Sequence, residues 1–420
     1  MADLLDDTAL IIDAVRTGRA VTQPQLTQLG LGRSVVAQRV GDLLEARILV
    51  QDGSAPSTGG RAAKRLRINA AAGLIVGVEC GATHMAVALA DLAGDLVAET
   101  VLDIDIADGP EIVLDRLEGA VAGLLAELRD APPIWGVALG VPGPVEFSTG
   151  RPVAPPIMPG WDAFPVRDRL AAVWGAPVWV DNDVNVIAMG ELRTNPAAAA
   201  AGDVLCIKIG TGIGAGLISG GRVHRGANGC AGDIGHITVP GSSDIACRCG
   251  NTGCLEAVAG GAALARDGQA LAASGGSEML AETLRATGRV TAGDVVAASQ
   301  RGDAPARALL VHAASVIGGS LATLVSFYNP GLVVLSGAVL AAGDPVVATI
   351  RGGVYRRSLP LATRSLRIEP SALGRGAGLV GAVHLALDGI FDPATLARWL
   401  PHRTPAGHPE IATAPLGHVA

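Results

Sequence analysis

The feature that most constrains the fold is a cluster of cysteines between His236 and Glu256, in the segment HITVPGSSDIACRCGNTGCLE. Three of the six cysteines, Cys247, Cys249 and Cys254, lie there within eight consecutive residues, so the segment must form a tight loop around three sulfurs. The chain begins MADLLDD, which lacks the basic and apolar regions of a secretory signal, and we expect a cytoplasmic protein. In that compartment clustered cysteines bind metal more often than they form disulfides. The alternative is a set of three buried free thiols.

Composition predicts a folded, soluble protein with more than one domain. The chain is 49% hydrophobic and 17% charged, which is typical of a folded protein. Its 420 residues are too many for one ordinary hydrophobic core. The most apolar stretch, ALLVHAASVIGGSLATLVSFY at 308–328, contains His312, serines and a Gly-Gly pair. These residues favour a buried helix over a membrane span. The isolated cysteines Cys80, Cys206 and Cys230 are predicted to be small core residues.

Charge is unevenly distributed along the chain. Between Ala14 and Ala72 there are nine basic and three acidic residues, whereas the whole chain carries a net charge of −7. A basic segment attached to an acidic body is typical of a nucleic-acid-binding module joined to another domain.

The pattern of this basic segment predicts a winged helix-turn-helix. Apolar residues at helical spacing over 8–18 precede a short helix in VTQPQLTQL and a second helix over 33–46, separated by a glycine-containing turn. An alternating strand, the break DGSAPSTGG and the segment KRLRI then predict a β-hairpin wing. Contacts to DNA are expected from Arg33, Ser34, Gln38, Arg39, Arg61, Lys64 and Arg65. The alternative is a helical docking module with a solvated basic face.

From Gly73 the chain changes to apolar strands separated by glycine turns, which predicts an α/β fold. Gly81-Ala82-Thr83 follows one buried strand, and IKIGTGIGAGLISGG at 207–221 repeats the strand–glycine–strand pattern. Backbone N–H groups in such turns can bind phosphate, although ordinary β-turns share the pattern. Another strand ends in Asp181-Asn182-Asp183, where a carboxylate can hold a polar ligand or act as a general base. The alternative role for Asp181 or Asp183 is a helix N-cap.

Taken in order, the motifs of the body resemble the ROK family of sugar kinases and sugar-responsive repressors. They are GVECGATHM, GVALGVPGPV, RPVAPPIMPGW, DNDVN with a following GE, GTGIGAGLISGGRVHRGANGCAGDIGH, CRCGNTGCLE and VVLSGAV. The resemblance covers about Gly73 to Asp388, and the winged helix-turn-helix with STGGR resembles the repressor branch. It implies a two-lobed actin/hexokinase-like (ribonuclease H-like) ATPase fold around a sugar-binding cleft.

The resemblance also implies a domain plan. Residues 1–72 form the winged helix-turn-helix DNA-binding domain, and 73–390 form the ROK domain. In the ROK domain, lobe one covers about 73–184 plus 376–390, and lobe two covers about 185–375. The remaining residues, 391–420, are rich in Pro, Ala and Thr, which predicts a loosely ordered tail.

A structural zinc ion is the cofactor expected at the cysteine cluster. One imidazole and three thiolates complete a tetrahedral Zn²⁺ shell with no position left for water, and they come from His236, Cys247, Cys249 and Cys254. The resemblance places this zinc beside the sugar, where His236 orients the ligand and Glu256 contacts it.

The resemblance implies further site residues. The sugar-binding positions are Gly143, Asn182, Asp183, Asp233, His236 and Glu256, with Asp183 at the general-base position. The nucleotide-phosphate loops correspond to Glu79, Gly81, Thr83, Gly210, Thr211, Gly212 and Gly214. ATP and Mg²⁺ are expected only if kinase activity is retained.

Three positions depart from the family pattern. Glu79 stands where the first phosphate loop usually has Asp, and Asp233 stands where a sugar-hydroxyl acceptor is usually Glu. Each change alters the reach of a carboxylate by about 1.5 Å. Ile157 replaces a common Asn, which leaves a buried sugar hydroxyl unpaired at a cost of about 1–3 kcal/mol. The ligand is therefore expected to be an unusual or deoxygenated sugar, or another small molecule.

These observations predict a sugar-responsive, ligand-gated DNA-binding transcriptional regulator, a repressor of carbohydrate metabolism genes. Its expected partners are a double-stranded DNA operator, a sugar or sugar derivative, and further copies of the chain in a homodimer or dimer of dimers, with no membrane. The alternative is an active ATP-dependent sugar kinase of the glucokinase type. The leading DNA-binding module favours the regulator, because a metabolic kinase has no use for it.

Overall fold

The computed structural model describes residues 2–54, 63–408 and 411, and it divides the chain into two compact units. The first unit consists of Met1–Asp181 and Ala382–Ala420, and the second of Asn182–Gly381. The predicted lobe boundaries at 184 and 375 lie three and six residues from these limits. Residues 1–72 group with the first lobe instead of forming a unit of their own, so a separate domain over 1–72 stays a prediction.

The N-terminal segment forms the predicted winged helix-turn-helix. Its helices are α1 (Ala2–Arg16), α2 (Gln23–Thr27) and α3 (Arg33–Glu45), and its wing is β1 (Leu49–Ser54) paired antiparallel with β2 (Lys64–Ile68). Helix α3 buries Val36, Val40 and Leu43, which share one face at helical spacing. Residues 55–62, which include Arg61, lie outside the described part of the chain.

A five-stranded mixed sheet forms the core of the first lobe. The strands of the first lobe, including the separate hairpin β7–β8, are β3 (Leu74–Cys80), β4 (His84–Asp91), β5 (Leu96–Asp103), β6 (Ile134–Val141), β7 (Val145–Glu146), β8 (Arg151–Pro152) and β9 (Val178–Asn182). The order in the sheet is β5-β4-β3-β6-β9, with helices α4 (Pro110–Glu127) and α5 (Val166–Trp174) in the connections. Strand β3 lies inside the sheet, antiparallel to β4 and parallel to β6, and it is buried along its whole length.

The second unit repeats this arrangement around another five-stranded sheet. Its strands are β10 (Val204–Ile209), β11 (Ile213–Ser219), β12 (Arg222–His224), β13 (Leu332–Ser336) and β14 (Arg367–Pro370). They lie in the order β12-β11-β10-β13-β14, and β10 pairs antiparallel with β11 and parallel with β13. Because β3 and β10 have equivalent neighbours, the two sheets have the repeated topology expected of a two-lobed hexokinase-like fold.

Helices cover and connect the strands of the second unit. They are α6 (Asp183–Thr194), α7 (Pro196–Ala201), α8 (Leu255–Ala259), α9 (Gly261–Ala273), α10 (Glu278–Thr287), α11 (Ala292–Gln300), α12 (Ala304–Tyr328), α13 (Asp344–Arg357), α14 (Pro360–Thr363) and α15 (Ala377–Ile390). Helix α15 begins in the second unit and ends in the first, so it carries the chain back into the first lobe.

Helix α12 is long and apolar enough to cross a membrane, yet it packs as a core helix of the second unit. It lies along α13 and also contacts α8, α9 and α11. Its residues Leu310, Ile317 and Leu321 are buried. Gly318 permits the close approach of α13, since a Cβ there would lie 2.8 Å from the carbonyl oxygen of Ile350. This packing agrees with the predicted buried helix.

The segment after α15 is more ordered than predicted. Helix α16 (Pro393–Trp399) follows, and the side chains of Leu396 and Trp399 are fully buried. The ring of Trp399 packs edge-on against that of Trp135 with centroids 5.2 Å apart, and α1 packs against α16. The expectation of a loosely ordered tail is therefore wrong for 393–402, because the buried side chains of Leu396 and Trp399 anchor this segment. Residues 409–410 and 412–420 lie outside the described chain.

Two of the three isolated cysteines are core residues. Cys80 and Cys206 are buried, and burial raises the pKa of the Cys206 thiol. Cys230, in contrast, is exposed, which corrects the prediction. It lies in a surface loop where Gly229 and Gly232 turn the backbone at φ values of +88° and +97°.

Candidate functional site

The four predicted metal ligands converge in the second unit. One donor atom from each lies within 4.8 Å of the others, and the residues are His236, Cys247, Cys249 and Cys254. The Sγ atoms of Cys249 and Cys254 are 3.7 Å apart, and His236 Nδ1 is 3.7 Å from Cys247 Sγ. A tetrahedron with zinc–sulfur bonds of about 2.3 Å has edges of about 3.8 Å. The donor set and its spacing therefore fit a structural zinc ion.

Local backbone structure holds this loop in place. Thr238 forms a β-bridge with Cys254, and Gly250 turns the chain between the cysteines at a φ of +93°. The N–H of Asn251 donates to the sulfur of Cys249 and lowers the pKa of that thiol. Burial, reinforced by the neighbouring thiols, raises the pKa of Cys254 to about 12. A bound cation would be needed to hold both sulfurs as thiolates at neutral pH.

The metal centre is continuous with the predicted ligand residues of the second unit. The imidazole of His236 directs Nδ1 to the cluster, and its Nε2 lies 3.8 Å from Asp233 Oδ1. Glu256, in the first turn of α8, places Oε1 at 3.7 Å from Cys247 Sγ. A Cβ at Gly212 would lie 2.4 Å from Glu256 Oε2, so this carboxylate reaches the second glycine turn only because residue 212 is glycine.

The second glycine turn, Gly210-Thr211-Gly212, connects β10 to β11. The carbonyl oxygens of Gly210 and Thr211 accept hydrogen bonds of 2.8 and 2.9 Å from the N–H groups of Gly261 and Ala262, at the start of α9. Among the described residues, the N–H groups of Thr211 and Gly212 donate no hydrogen bond to a backbone carbonyl. Adjacent free N–H groups are the arrangement by which glycine turns bind anions.

Asp183 is the first residue of α6, and Asn182 is the N-cap of that helix. The side-chain oxygen of Asn182 accepts a hydrogen bond of 3.0 Å from the N–H of Val184. The capping role considered for the neighbouring aspartates therefore belongs to Asn182. Asp183 Oδ2 instead accepts from Lys208 Nζ at 2.8 Å, a contact that the sequence analysis missed. The available signal was the rarity of lysine in this chain.

The remaining residues predicted to bind the sugar or the nucleotide phosphates lie in the first unit, apart from Gly214, which lies between β11 and α6. Those in the first unit are Glu79, Gly81, Thr83 and Gly143, together with Ile157. Glu79 is buried within β3, and the ring of His84 covers Gly81, where a Cβ would lie 2.4 Å from His84 Cε1. Ile157 packs against the core of the first lobe. In the second unit, Gly214 lets β11 approach α6, since a Cβ there would lie 2.9 Å from a methyl carbon of Val184.

The predicted DNA contacts divide into exposed and engaged side chains. Those of Arg33, Ser34 and Gln38 on α3, and of Lys64 and Arg65 on β2, are exposed. The side chain of Arg39 is only 13% exposed, and its guanidinium pairs with Asp42 at 2.9 Å. Arg39 is thus engaged within the module, which disfavours the base contact predicted for it.

Comparison with known proteins agrees with this architecture. The profile described as the ROK family matches residues 75–389. The glucokinase of Halalkalibacterium halodurans is 34% identical over 311 residues, which cover 73% of this chain and 92% of that protein. The xylose repressor of Caldicellulosiruptor bescii is 26% identical over 385 residues, which cover 91% of this chain and 96% of that protein.

A solved structure extends the likeness to the fold of nearly the whole chain. The structure of a ROK family transcriptional regulator, described as a homolog of the E. coli MLC protein, superposes with a TM-score of 0.79 at 21% identity. It covers 96% of this chain and 100% of that one. The repressor match exceeds the glucokinase match, 385 against 311 residues, by about the length of the winged helix-turn-helix.

Proposed function

The chain belongs to the ROK family, and we propose that it is a sugar-responsive DNA-binding regulator that represses genes of carbohydrate metabolism in the cytoplasm. The observation that carries the proposal is the winged helix-turn-helix of α1 to β2, which precedes the family match beginning at residue 75. A sugar kinase needs no such module. The similarity to a xylose repressor over 91% of the chain supports the same conclusion.

The DNA partner is a two-fold symmetric operator bound by a homodimer or a dimer of dimers. Helix α3 would present Arg33, Ser34 and Gln38 to base edges in the major groove, while Lys64 and Arg65 of the wing contact phosphates. One module covers one half-site, so the half-sites should be spaced by about 10 bp or a multiple of it.

The effector site lies in the second unit, where Asp183 and Asn182 share an element and Asp233, His236 and Glu256 join the metal centre. Carboxylates accept hydrogen bonds from sugar hydroxyls. A zinc ion held by His236 and the three cysteines would fix the imidazole ring and the start of α8, where Glu256 stands. Ligand binding then has to favour one conformation of the protein over another in order to change DNA affinity.

The second candidate is an active ATP-dependent sugar kinase, which the 34% identity to a glucokinase favours. In that case ATP and Mg²⁺ would use the two glycine turns, and Asp183 would be the general base. Lys208 opposes this role, because its ammonium, 2.8 Å from Asp183 Oδ2, already donates a hydrogen bond to a carboxylate oxygen that would have to accept the hydroxyl proton. The longer side chain of Glu79 at the first turn also opposes it.

Footprinting on the promoter regions of adjacent carbohydrate genes, with and without a panel of sugars and sugar derivatives, tests the proposal. We expect a symmetric protected region that one member of the panel weakens or strengthens. Protection without symmetry, or none on any promoter region, would contradict the dimeric regulator.

A further inference from the structure

Helix α15 packs against α6, the helix that carries Asp183 at its first position. Within the second unit the backbones of the two helices touch at two glycines. A Cβ at Gly190 of α6 would lie 2.3 Å from the carbonyl oxygen of Ala377. A Cβ at Gly381 of α15 would lie 1.8 Å from the carbonyl oxygen of Val186. Helices in backbone contact have no side chain between them to absorb a movement, so a shift of α6 is passed to α15.

The second half of α15 lies in the first unit, where it packs against β9. A Cβ at Gly389 would lie 2.1 Å from Cε2 of Trp179, so the backbone of the helix packs directly on the indole ring. Strand β9 ends at Asn182, and α6 begins at the next residue. Helix α15 thus contacts both elements that place the predicted effector residues Asn182 and Asp183.

The same half of α15 holds the winged helix-turn-helix through a shielded cluster around Arg16, at the end of α1. The guanidinium of Arg16 pairs with Asp388, and His384 Nδ1, one turn earlier in α15, lies 3.5 Å from it. Only 4% of the Arg16 side chain and 15% of the Asp388 side chain are exposed. Helix α1 in turn packs against α3, the predicted recognition helix. The elements from Asp183 to α3 therefore form a continuous series of contacts.

Resting on the proposed function, we infer that Arg16 and Asp388 are positioning residues that couple the effector site to DNA affinity. An effector that bonds to Asp183 and Asn182 shifts the start of α6, and α15 moves with it. A charge-assisted hydrogen bond has a preferred length and direction, so Asp388 then carries Arg16 and α1 along. Helix α3 follows α1, which changes how well its exposed side chains fit the major groove.

Anisotropy titrations of the full-length, zinc-loaded protein with the footprinted operator duplex test this inference. They are made without sugar and with D-xylose, D-glucose or N-acetyl-D-glucosamine. One sugar should change the operator affinity of the parent protein by about 5- to 150-fold, the usual range of allosteric coupling. The double variant Arg16→Met/Asp388→Leu replaces both charges by apolar side chains, which at shielded pairs is often neutral for stability. In this variant the same sugar should change operator affinity by less than about twofold.

The double variant should still protect the same operator, and calorimetry should show unchanged sugar affinity without DNA. A merely structural role for the pair would instead lower operator binding and the sugar response together, and that result overturns the inference. Glu45→Gln, which removes the exposed pair with Arg403, is the control and should keep the full response. A full response in the double variant also overturns the inference and leaves the sugar-responsive regulator standing. No operator binding by the parent protein overturns the proposed function itself.

A second measurement needs no sugar, because coupling between two binding sites is reciprocal. Binding of the operator duplex should change hydrogen–deuterium exchange at the amides of α6 in the parent protein, whereas a scrambled duplex should not. In the double variant the operator should leave exchange in α6 unchanged. The inference is wrong if operator binding has no effect on α6 in the parent, or an equal effect in both proteins. A change confined to the parent supports it even if all three sugars leave DNA affinity unaltered.

Discussion

The guanidinium of Arg16, at the end of α1, is ion-paired with the carboxylate of Asp388 in α15, and only 4% of the Arg16 side chain is exposed. The imidazole of His384, one turn earlier in α15, lies 3.5 Å from the same guanidinium. This pair fixes the winged helix-turn-helix to the helix that returns from the second unit. A shielded pair of this kind is costly to break, because removing Asp388 leaves the buried guanidinium with only the longer ion pair, at 3.4 Å, to Asp13.

Asp388→Asn should therefore destabilise the first unit by about 3 kcal/mol. All five tryptophans lie in that unit, so urea unfolding followed by tryptophan fluorescence reports on it alone. Glu45→Gln is the control, since it removes an exposed ion pair with Arg403 and should cost under about 1 kcal/mol. Similar losses in the two variants would show that burial of Arg16 is not what makes its pair important.

The purified protein should contain one zinc ion per chain, bound by the four clustered ligands. Cys249→Ser removes one thiolate and should reduce the zinc content to well below one equivalent, with loss of the response to effector. Elemental analysis and effector titration measure the two effects. Cys230→Ser, which changes an exposed thiol outside the cluster, should alter neither. A full response to effector in the metal-free protein would show that the metal has no structural role in that response.

Substitutions in the recognition helix and in the wing should have different effects on DNA binding. Arg33→Ala and Gln38→Ala should lower discrimination at single base pairs by about 1–3 kcal/mol, because they remove contacts to base edges. Lys64→Ala and Arg65→Ala should weaken all sequences alike and reduce the salt slope by about one each. Fluorescence anisotropy with operator and scrambled duplexes over a salt series distinguishes the two classes. Unchanged sequence preference in both α3 variants would argue against α3 as the recognition helix.

Sugar phosphorylation should be absent or feeble. Glu79 extends the carboxylate by about 1.5 Å relative to Asp, and a misplacement of only about 1 Å can cost ~100-fold in rate. An assay that couples ADP release to the sugar panel measures the parent protein beside Glu79→Asp. Turnover of about 1–100 s⁻¹ in the parent, typical of kinases, would favour the kinase instead.

Asp183→Asn should weaken effector binding by at least tenfold and leave DNA affinity without effector unchanged, because it removes a carboxylate acceptor from the ligand site only. Calorimetry and DNA titration on the same preparation measure the two quantities. Asp294→Asn, at the capping box of α11 in the same unit, is the matched control and should bind effector normally. Loss of DNA affinity without effector would point to a structural role for Asp183.

Features encoded in short segments could be predicted from the sequence. The spacing of Cys247, Cys249 and Cys254 and the helix–turn–helix pattern each specify a local arrangement, and the structure contains both. Contacts between distant single charges could not be predicted, because no periodicity shows which helix a lone Lys208 or Arg16 will meet. Arg16 and Asp388, which form an ion pair, are 372 residues apart in the sequence. Composition also misled at α16, where the burial of Trp399 outweighs a Pro- and Ala-rich surrounding sequence.

The divided first unit has a consequence for the order in which the protein is made. Its two parts are separated by the 200 residues of Asn182–Gly381, which take roughly 10–40 s to translate at 5–20 residues per second. During that interval α1 has been synthesised, but α16 and Asp388 have not. The winged helix-turn-helix is thus synthesised well before the segment against which it packs, so its final position within the first unit depends on residues translated more than 200 positions later.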